Sequence, residues 1–123
     1  MKFSDLPPLL MPLDGGTFCG LITLPDGTHN AVVLLEARPD KHLSWKKAQE
    51  WAASVDGVLP TRPVSALLYS LAKDLIEPDW HWTSEANGKS YAWFCDFSDG
   101  NQDDTFQSAE GAAVAVRLIP LTA

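Results

Sequence analysis

The stretch LSWKKAQEWAASVDGVLPTRPVSALLYSLAK, residues 43–73, decides the architecture of this chain. It reads as two helices joined by a short extended step. In the first, residues 44–55, Ser44 stands at the N-cap, and Trp45, Ala48, Ala52 and Val55 recur at helical spacing. Trp51 widens that apolar stripe, Lys46, Lys47 and Glu50 face outward, and Gly57 supplies a stop. In the second, residues 63–76, Thr61 or Arg62 caps the helix and Pro63 suits its first turn. Val64, Leu67, Leu68, Leu71 and Leu75 form one apolar face, Lys73 complements the helix dipole, and Pro78 prevents continuation.

On the N-terminal side, residues 17–24 and 30–37 read as the two strands of a hairpin turning at Pro25-Asp26-Gly27. Residues 1–16, rich in Pro and Leu and closed by Gly15-Gly16, read as an extended arm with no regular element. On the C-terminal side, Trp80–Ser84 is a short strand and Asn87-Gly88-Lys89 a turn. Within 90–97, Tyr91, Trp93, Cys95 and Phe97 alternate with Ala92, Phe94 and Asp96. Both faces are largely apolar, which predicts a central strand. Ser98–Asn101 is a turn, and Ala113–Ile119 is an apolar strand broken only by Arg117. Segments 85–90 and 98–112 read as loops joining these late strands. The order strand, strand, helix, helix, strands, without βαβ alternation, predicts an α+β fold.

A chain of 123 residues suits one domain, here 17–123, and suffices to bury a core without metals or disulfides. The net charge of −7 is unevenly spread: residues 77–123 carry eight acids and only two bases, Lys89 and Arg117. No basic footprint for nucleic acid is present, and an anionic membrane surface would repel the chain. The acidic half would attract a cation or a basic protein surface, although plain solubility also accounts for it. Cys19 and Cys95 are too far apart in sequence for a zinc knuckle or a C-x-x-C motif. A disulfide between them stays open, but two buried thiols in a reducing compartment are the preferred reading. The first ten residues lack the sustained apolar run of a signal peptide, and no stretch approaches the length of a membrane span. The expected location is cytoplasmic, with a virion as the alternative.

Five segments resemble one known family. Leu43-Ser44-Trp45-Lys46-Lys47-Ala48 with Trp51-Ala52 resembles its first-helix opening, and Gly57-Val58-Leu59-Pro60-Thr61-Arg62 its link to the second helix. Trp80–Glu85 resembles a W-x-W-[ST]-S-E strand, Tyr91-Ala92-Trp93 with Asp96–Gly100 a hairpin, and Ala113–Arg117 the closing strand. The pattern is similar to bacterial and phage C-type-lectin-like domains, typified by the C-terminal domain of the Legionella collagen-like adhesin and related to formylglycine-generating-enzyme-like folds. It spans roughly residues 17–120. The resemblance implies two helices packed on antiparallel sheet, with a long-loop region that carries a variable binding surface. It also suggests a phage or prophage origin.

The sequence offers four kinds of chemistry. Asp96, Asp99, Asn101, Asp103 and Asp104 crowd oxygen ligands suited to calcium, but without EF-hand spacing and without the Glu-Pro-Asn or Trp-Asn-Asp triplets of the sugar-binding relatives. A solvated acidic hairpin is the preferred reading there. Cysteine chemistry of the formylglycine-generating type needs an electropositive, open thiol, which neither predicted strand offers. His29, His42 and His81 match no zinc spacing, and His81 between two tryptophans would line a pocket. The fourth is a recognition surface over 80–110, where polar loop residues surround aromatic anchors. Its expected contributors are Trp82, Glu85, Asn87, Tyr91, Asp99, Asn101, Asp103, Asp104 and Phe106. Glu85 is expected to pair with Arg62 or Arg117.

The reading is thus a non-catalytic binding module that needs no cofactor and takes a host protein or a glycan. One alternative is an acidic inhibitor that docks on a host defence or nucleic-acid-binding protein. Another is a structural component of a phage particle, a homo-oligomer in which the apolar arm at 6–13 exchanges between subunits.

Overall fold

His29–Leu35 (β3) organises the molecule. Its alternate side chains feed two different cores: Val32 and Leu34 enter one, Val33 and Leu35 the other. A strand buried on both faces needs apolar residues at every position, and Ala31–Leu35 supplies them. In the computed structural model, which describes residues 1–123, β3 lies in a four-stranded antiparallel sheet. The order is β1 (Pro12–Leu13), β2 (Gly16–Thr23), β3 and β7 (Val116–Pro120). A second antiparallel sheet has the order β4 (Trp80–Asn87), β5 (Tyr91–Asp96), β6 (Gln102–Phe106). With the helices α1 (Trp45–Ser54) and α2 (Arg62–Ala72), this is an α+β fold of two helices and two antiparallel sheets.

Each core has its own helix. Val64, Leu68 and Ala72 of α2 pack with Cys19, Val32, Leu34, Cys95, Phe97, Val114 and Val116. Ala48 and Ala52 of α1 pack with Val33, Leu35, Leu43, Leu59, Trp82, Ala92, Ala113 and Ala115. The small alanines let α1 lie close, and the half-buried Trp45, Trp51 and Trp80 fill the remaining space. Thr61 caps α2, its Oγ1 accepting the Val64 N–H at 3.3 Å. Ser44 has the extended N-cap backbone but makes no side-chain cap bond. The Trp45 N–H is instead taken by the Gln107 carbonyl at 3.0 Å.

Several expectations are corrected. The arm at 1–16 is not without structure: Phe3–Asp5 form a 3₁₀ turn, Lys2 bridges Thr122, and Pro12–Leu13 pair with Gly16–Thr17. The 6–13 segment therefore lies on its own β2, with Leu10 N–H on Phe18 O at 2.8 Å. Helix α2 stops at Ala72 and tightens into a 3₁₀ turn over Lys73–Leu75. That change of winding takes Leu75 off the apolar stripe, and Leu71 and Leu75 are 37% and 46% exposed. Residues 98–112 are not one loop, because Gln102–Phe106 form β6. The last strand is shorter than Ala113–Ile119, since only Val116–Pro120 pair with β3. Residues 111–115 run extended between the sheets, bridging Leu43 and His81. The expectation of a central 90–97 strand holds, with β5 in the middle of its sheet.

The outer edge of β6 is partly occupied. Asp103 Oδ1 accepts the Asp104 N–H at 2.8 Å, and Phe106 O accepts the Ala109 N–H at 2.9 Å. These bonds occupy groups that an edge strand would otherwise offer to another chain.

Candidate functional site

The register of β4–β5–β6 decides which of the expected residues meet. Asn87 pairs with Tyr91, and Tyr91 with Phe106, so the three form one cross-strand row. Trp93 pairs with Asp104 in the next row, and Cys95 with Gln102 in the one after. Alternation puts all of these on one face of the sheet, and Ala92, Phe94 and Trp82 on the other.

Helix α2 covers this face unevenly. Cys95 lies beneath it, packed in a core with Val64 and Leu68. Arg62, the first residue of α2, lies over the next ring, its guanidinium carbon 3.7 Å from the Trp93 ring centroid. Tyr91 and Phe106, beyond it, are open to solvent at 37% and 56% exposure. Their rings stack at 4.7 Å with a 36° tilt. Such an exposed aromatic pair on a rigid sheet is a ready contact surface.

The polar groups around the rings are held in place. Glu85 Oε2 accepts the Arg62 backbone N–H at 2.7 Å. Arg62 Nε donates to Gln102 Oε1 at 2.9 Å, and Gln102 Nε2 returns a bond to the Arg62 carbonyl at 2.9 Å. Asn87 Nδ2 donates to Asp104 Oδ2 at 2.6 Å, and Gln107 Nε2 to the Tyr91 carbonyl at 2.9 Å. Locked side chains lose little entropy when they meet a partner, which favours recognition.

Of the nine expected contributors, Glu85, Asn87, Tyr91, Asp104 and Phe106 gather on this face. Trp82 does not: it has no exposure, and its indole N–H donates to the Leu43 carbonyl at 2.8 Å inside the α1 core. Asp99 and Asn101 sit in the β5–β6 turn, where Asp99 accepts both the backbone and side-chain N–H of Asn101 at 2.9 Å. Asp103 points to the other side of β6 and caps its neighbour. Arg62, Trp93 and Gln102 belong to the face but were not expected there. The pairing expected for Glu85 is also corrected, because it meets the backbone of Arg62 rather than a guanidinium. Arg117 instead spans Asp14 and Asp56, donating to their carbonyls at 2.8 and 2.9 Å.

The five calcium candidates do not converge. Asp96 Oδ1 is taken by the N–H and hydroxyl of Ser98, which hold its carboxyl below the usual range. Asp103 and Asp104 leave β6 on opposite sides. No three His, Cys, Asp or Glu side chains anywhere in the chain come close enough to hold a metal ion.

Both cysteines are buried and unbonded to each other. Burial raises the thiol pKa of each, and Cys95, with Asp96 adding to the effect, is pushed up to about 11. A thiol held protonated is a poor nucleophile. Two of the three histidines meet in a polar pocket of about 250 Å³ lined by Arg38, Lys41, His42, Glu77 and His81. His81 is buried against Phe97, and Nδ1 lies 2.9 Å from the Asp79 carbonyl. Burial lowers its pKa, so the ring is neutral and carries its proton on Nδ1. His29 lies elsewhere, bonded to Thr23 Oγ1 at 2.8 Å. No helix is long and apolar enough to cross a membrane.

Compared with known proteins, the chain matches no family model and no curated protein.

Proposed function

We propose that this chain is a non-catalytic binding module of C-type-lectin-like architecture and phage or prophage origin, and that it recognises a protein surface through the open end of the β4–β5–β6 face that carries Tyr91 and Phe106. The observation that carries the reading is the exposed Tyr91–Phe106 stack, set on a rigid sheet and rimmed by Asn87 and Asp104. Aromatic side chains with few rotamers, ringed by fixed polar groups, are what binding hot spots are made of. The buried, protonated thiols support a role without nucleophilic chemistry. The two-helix, two-sheet architecture and the five sequence segments support the lectin-like assignment.

The test compares the parent with Tyr91→Ala/Phe106→Ala. The double variant should keep its circular-dichroism spectrum and lose capture of protein partners by at least about tenfold. Equal capture by both forms would refute the reading. A glycan array, run with and without calcium, covers the other ligand class. A glycan bound by the parent and lost in the double variant would keep the face and replace the protein with a sugar.

The charge distribution favours a second reading on the same surface. Residues 77–123, with eight acids and two bases, would dock on a basic groove and block nucleic acid there. Steep weakening of partner capture by added salt would mark that case.

A further inference from the structure

We propose that Tyr91, Phe106 and Asp104 form a seat for one cationic side chain, arginine in preference to lysine, so that the face takes a basic protein segment. This rests on the reading of that face given above.

The chain already makes such pairings within itself, Lys73 over Tyr69 at 5.4 Å and, more closely, Arg62 over Trp93 at 3.7 Å. Arg62 Nε is fixed by Gln102. One row further out, Tyr91 and Phe106 offer a second aromatic surface, and no cation of the chain sits on it. The ring faces carry negative charge density that attracts a guanidinium or an ammonium. Asp104 lies beside them in the adjacent row. Its Oδ2 is held by Asn87, while Oδ1 takes no hydrogen bond within the chain. A guanidinium on the rings would find that oxygen as its acceptor.

The surrounding field has the matching sign. The segment that builds the face, residues 77–123, carries eight acids against two bases, and Arg62 of α2 is already engaged by Trp93 and Gln102. Arginine is preferred because its planar group stacks on a ring and still donates in its own plane, whereas an ammonium acts as a point charge. The way in is also defined. With the Asp104 N–H and the Phe106 carbonyl both occupied, the edge of β6 is a poor template for an added strand. A partner approaches the face and inserts a side chain.

The test uses the full chain and three peptides, acetyl-(Gly-Arg)₄-amide and its lysine and citrulline counterparts, followed by ¹H–¹⁵N correlation spectra. Citrulline keeps the planar shape and removes the charge. The arginine peptide should give saturable shifts at Tyr91, Phe106, Trp93 Nε1 and the Asn87 side-chain amide. Lysine should bind more weakly and citrulline about tenfold more weakly than arginine. Phe106→Ala should weaken the arginine peptide by about tenfold and Asp104→Asn by about threefold or more. Neither change touches the buried core, and a parent-like spectrum away from the face confirms that the variant is folded. Equal shifts with the citrulline peptide would overturn the inference and leave the face a binding face. Shifts mapping elsewhere, or none, would also overturn it. The Tyr91→Ala/Phe106→Ala comparison then decides the underlying reading separately.

Discussion

Trp82→Phe removes part of the indole from a side chain with no exposure. The ring lies edge-on to Trp80 at 5.1 Å and donates to the Leu43 carbonyl at 2.8 Å. Emptying on the order of 40 Å³ costs about 1 kcal/mol at the rate measured for core cavities. Loss of the indole hydrogen bond adds about 1 kcal/mol. The Leu43 carbonyl keeps the Gly111 N–H at 2.9 Å, so no buried acceptor is stranded and the cost stops there. A total of about 2 kcal/mol should lower the melting temperature of a 123-residue domain by about 8 °C. Thermal melts followed by circular dichroism, with urea titrations alongside, measure it directly. Partner binding, assayed well below the melt, should be unchanged. A variant that melts within about 2 °C of the parent yet loses its partner would refute the assignment of Trp82 to the core.

Gly16→Ala should be far more damaging than Gly27→Ala. A Cβ at Gly16 presses on the Leu34 carbonyl and Val33, whereas one at Gly27 meets nothing within 4 Å and costs only the strain of a φ of +87°, about 1 kcal/mol. Soluble yield and melting temperature separate the two, and equal effects would contradict the close approach of β2 to β3. Because its folded pKa is raised to about 11, Cys95 stabilises the fold below the ordinary thiol range, and that contribution should fade as pH rises towards 11. Neither thiol should react with a disulfide reagent until the protein unfolds. His81 has the opposite sign. Its folded pKa is lowered, so stability should fall as pH drops below about 6.5, where only the unfolded imidazole takes a proton, and His81→Gln should flatten that slope in urea titrations.

The helices were legible because their apolar spacing and stops are local: Thr61 caps α2 and Pro63 sits in its first turn. Strand β5 was legible through its two apolar faces. Strand β6 was not, because Gln-Asp-Asp-Thr-Phe has no alternating apolar signal, and its pairing with β5 holds it in place. Trp82 and Trp93 look alike in sequence, two tryptophans in aromatic strands. Only the packing of α1 and α2 buries one and leaves the other under Arg62. The Arg62–Gln102 contact joins residues 40 apart, and no local pattern announces it. Glu85, Asn87, Tyr91, Asp104 and Phe106 could be named as candidates, but their assembly depends on cross-strand register. Asp99, Asn101 and Asp103 have the same polar character and are used in turn and edge chemistry instead.

The alternation of β3 between two cores has a consequence for how the molecule comes apart. Val32 and Leu34 cannot leave one core without displacing Val33 and Leu35 from the other, since all four hang on a single stretch of backbone. Neither helix can detach with a private core of its own. Melting should then be all-or-none, with tryptophan fluorescence and backbone circular dichroism changing together. The slowest-exchanging amides should cluster in β3 and its partners on either side. Damage at either helix would register across the whole domain, including the candidate face, which α2 partly covers and α1 backs.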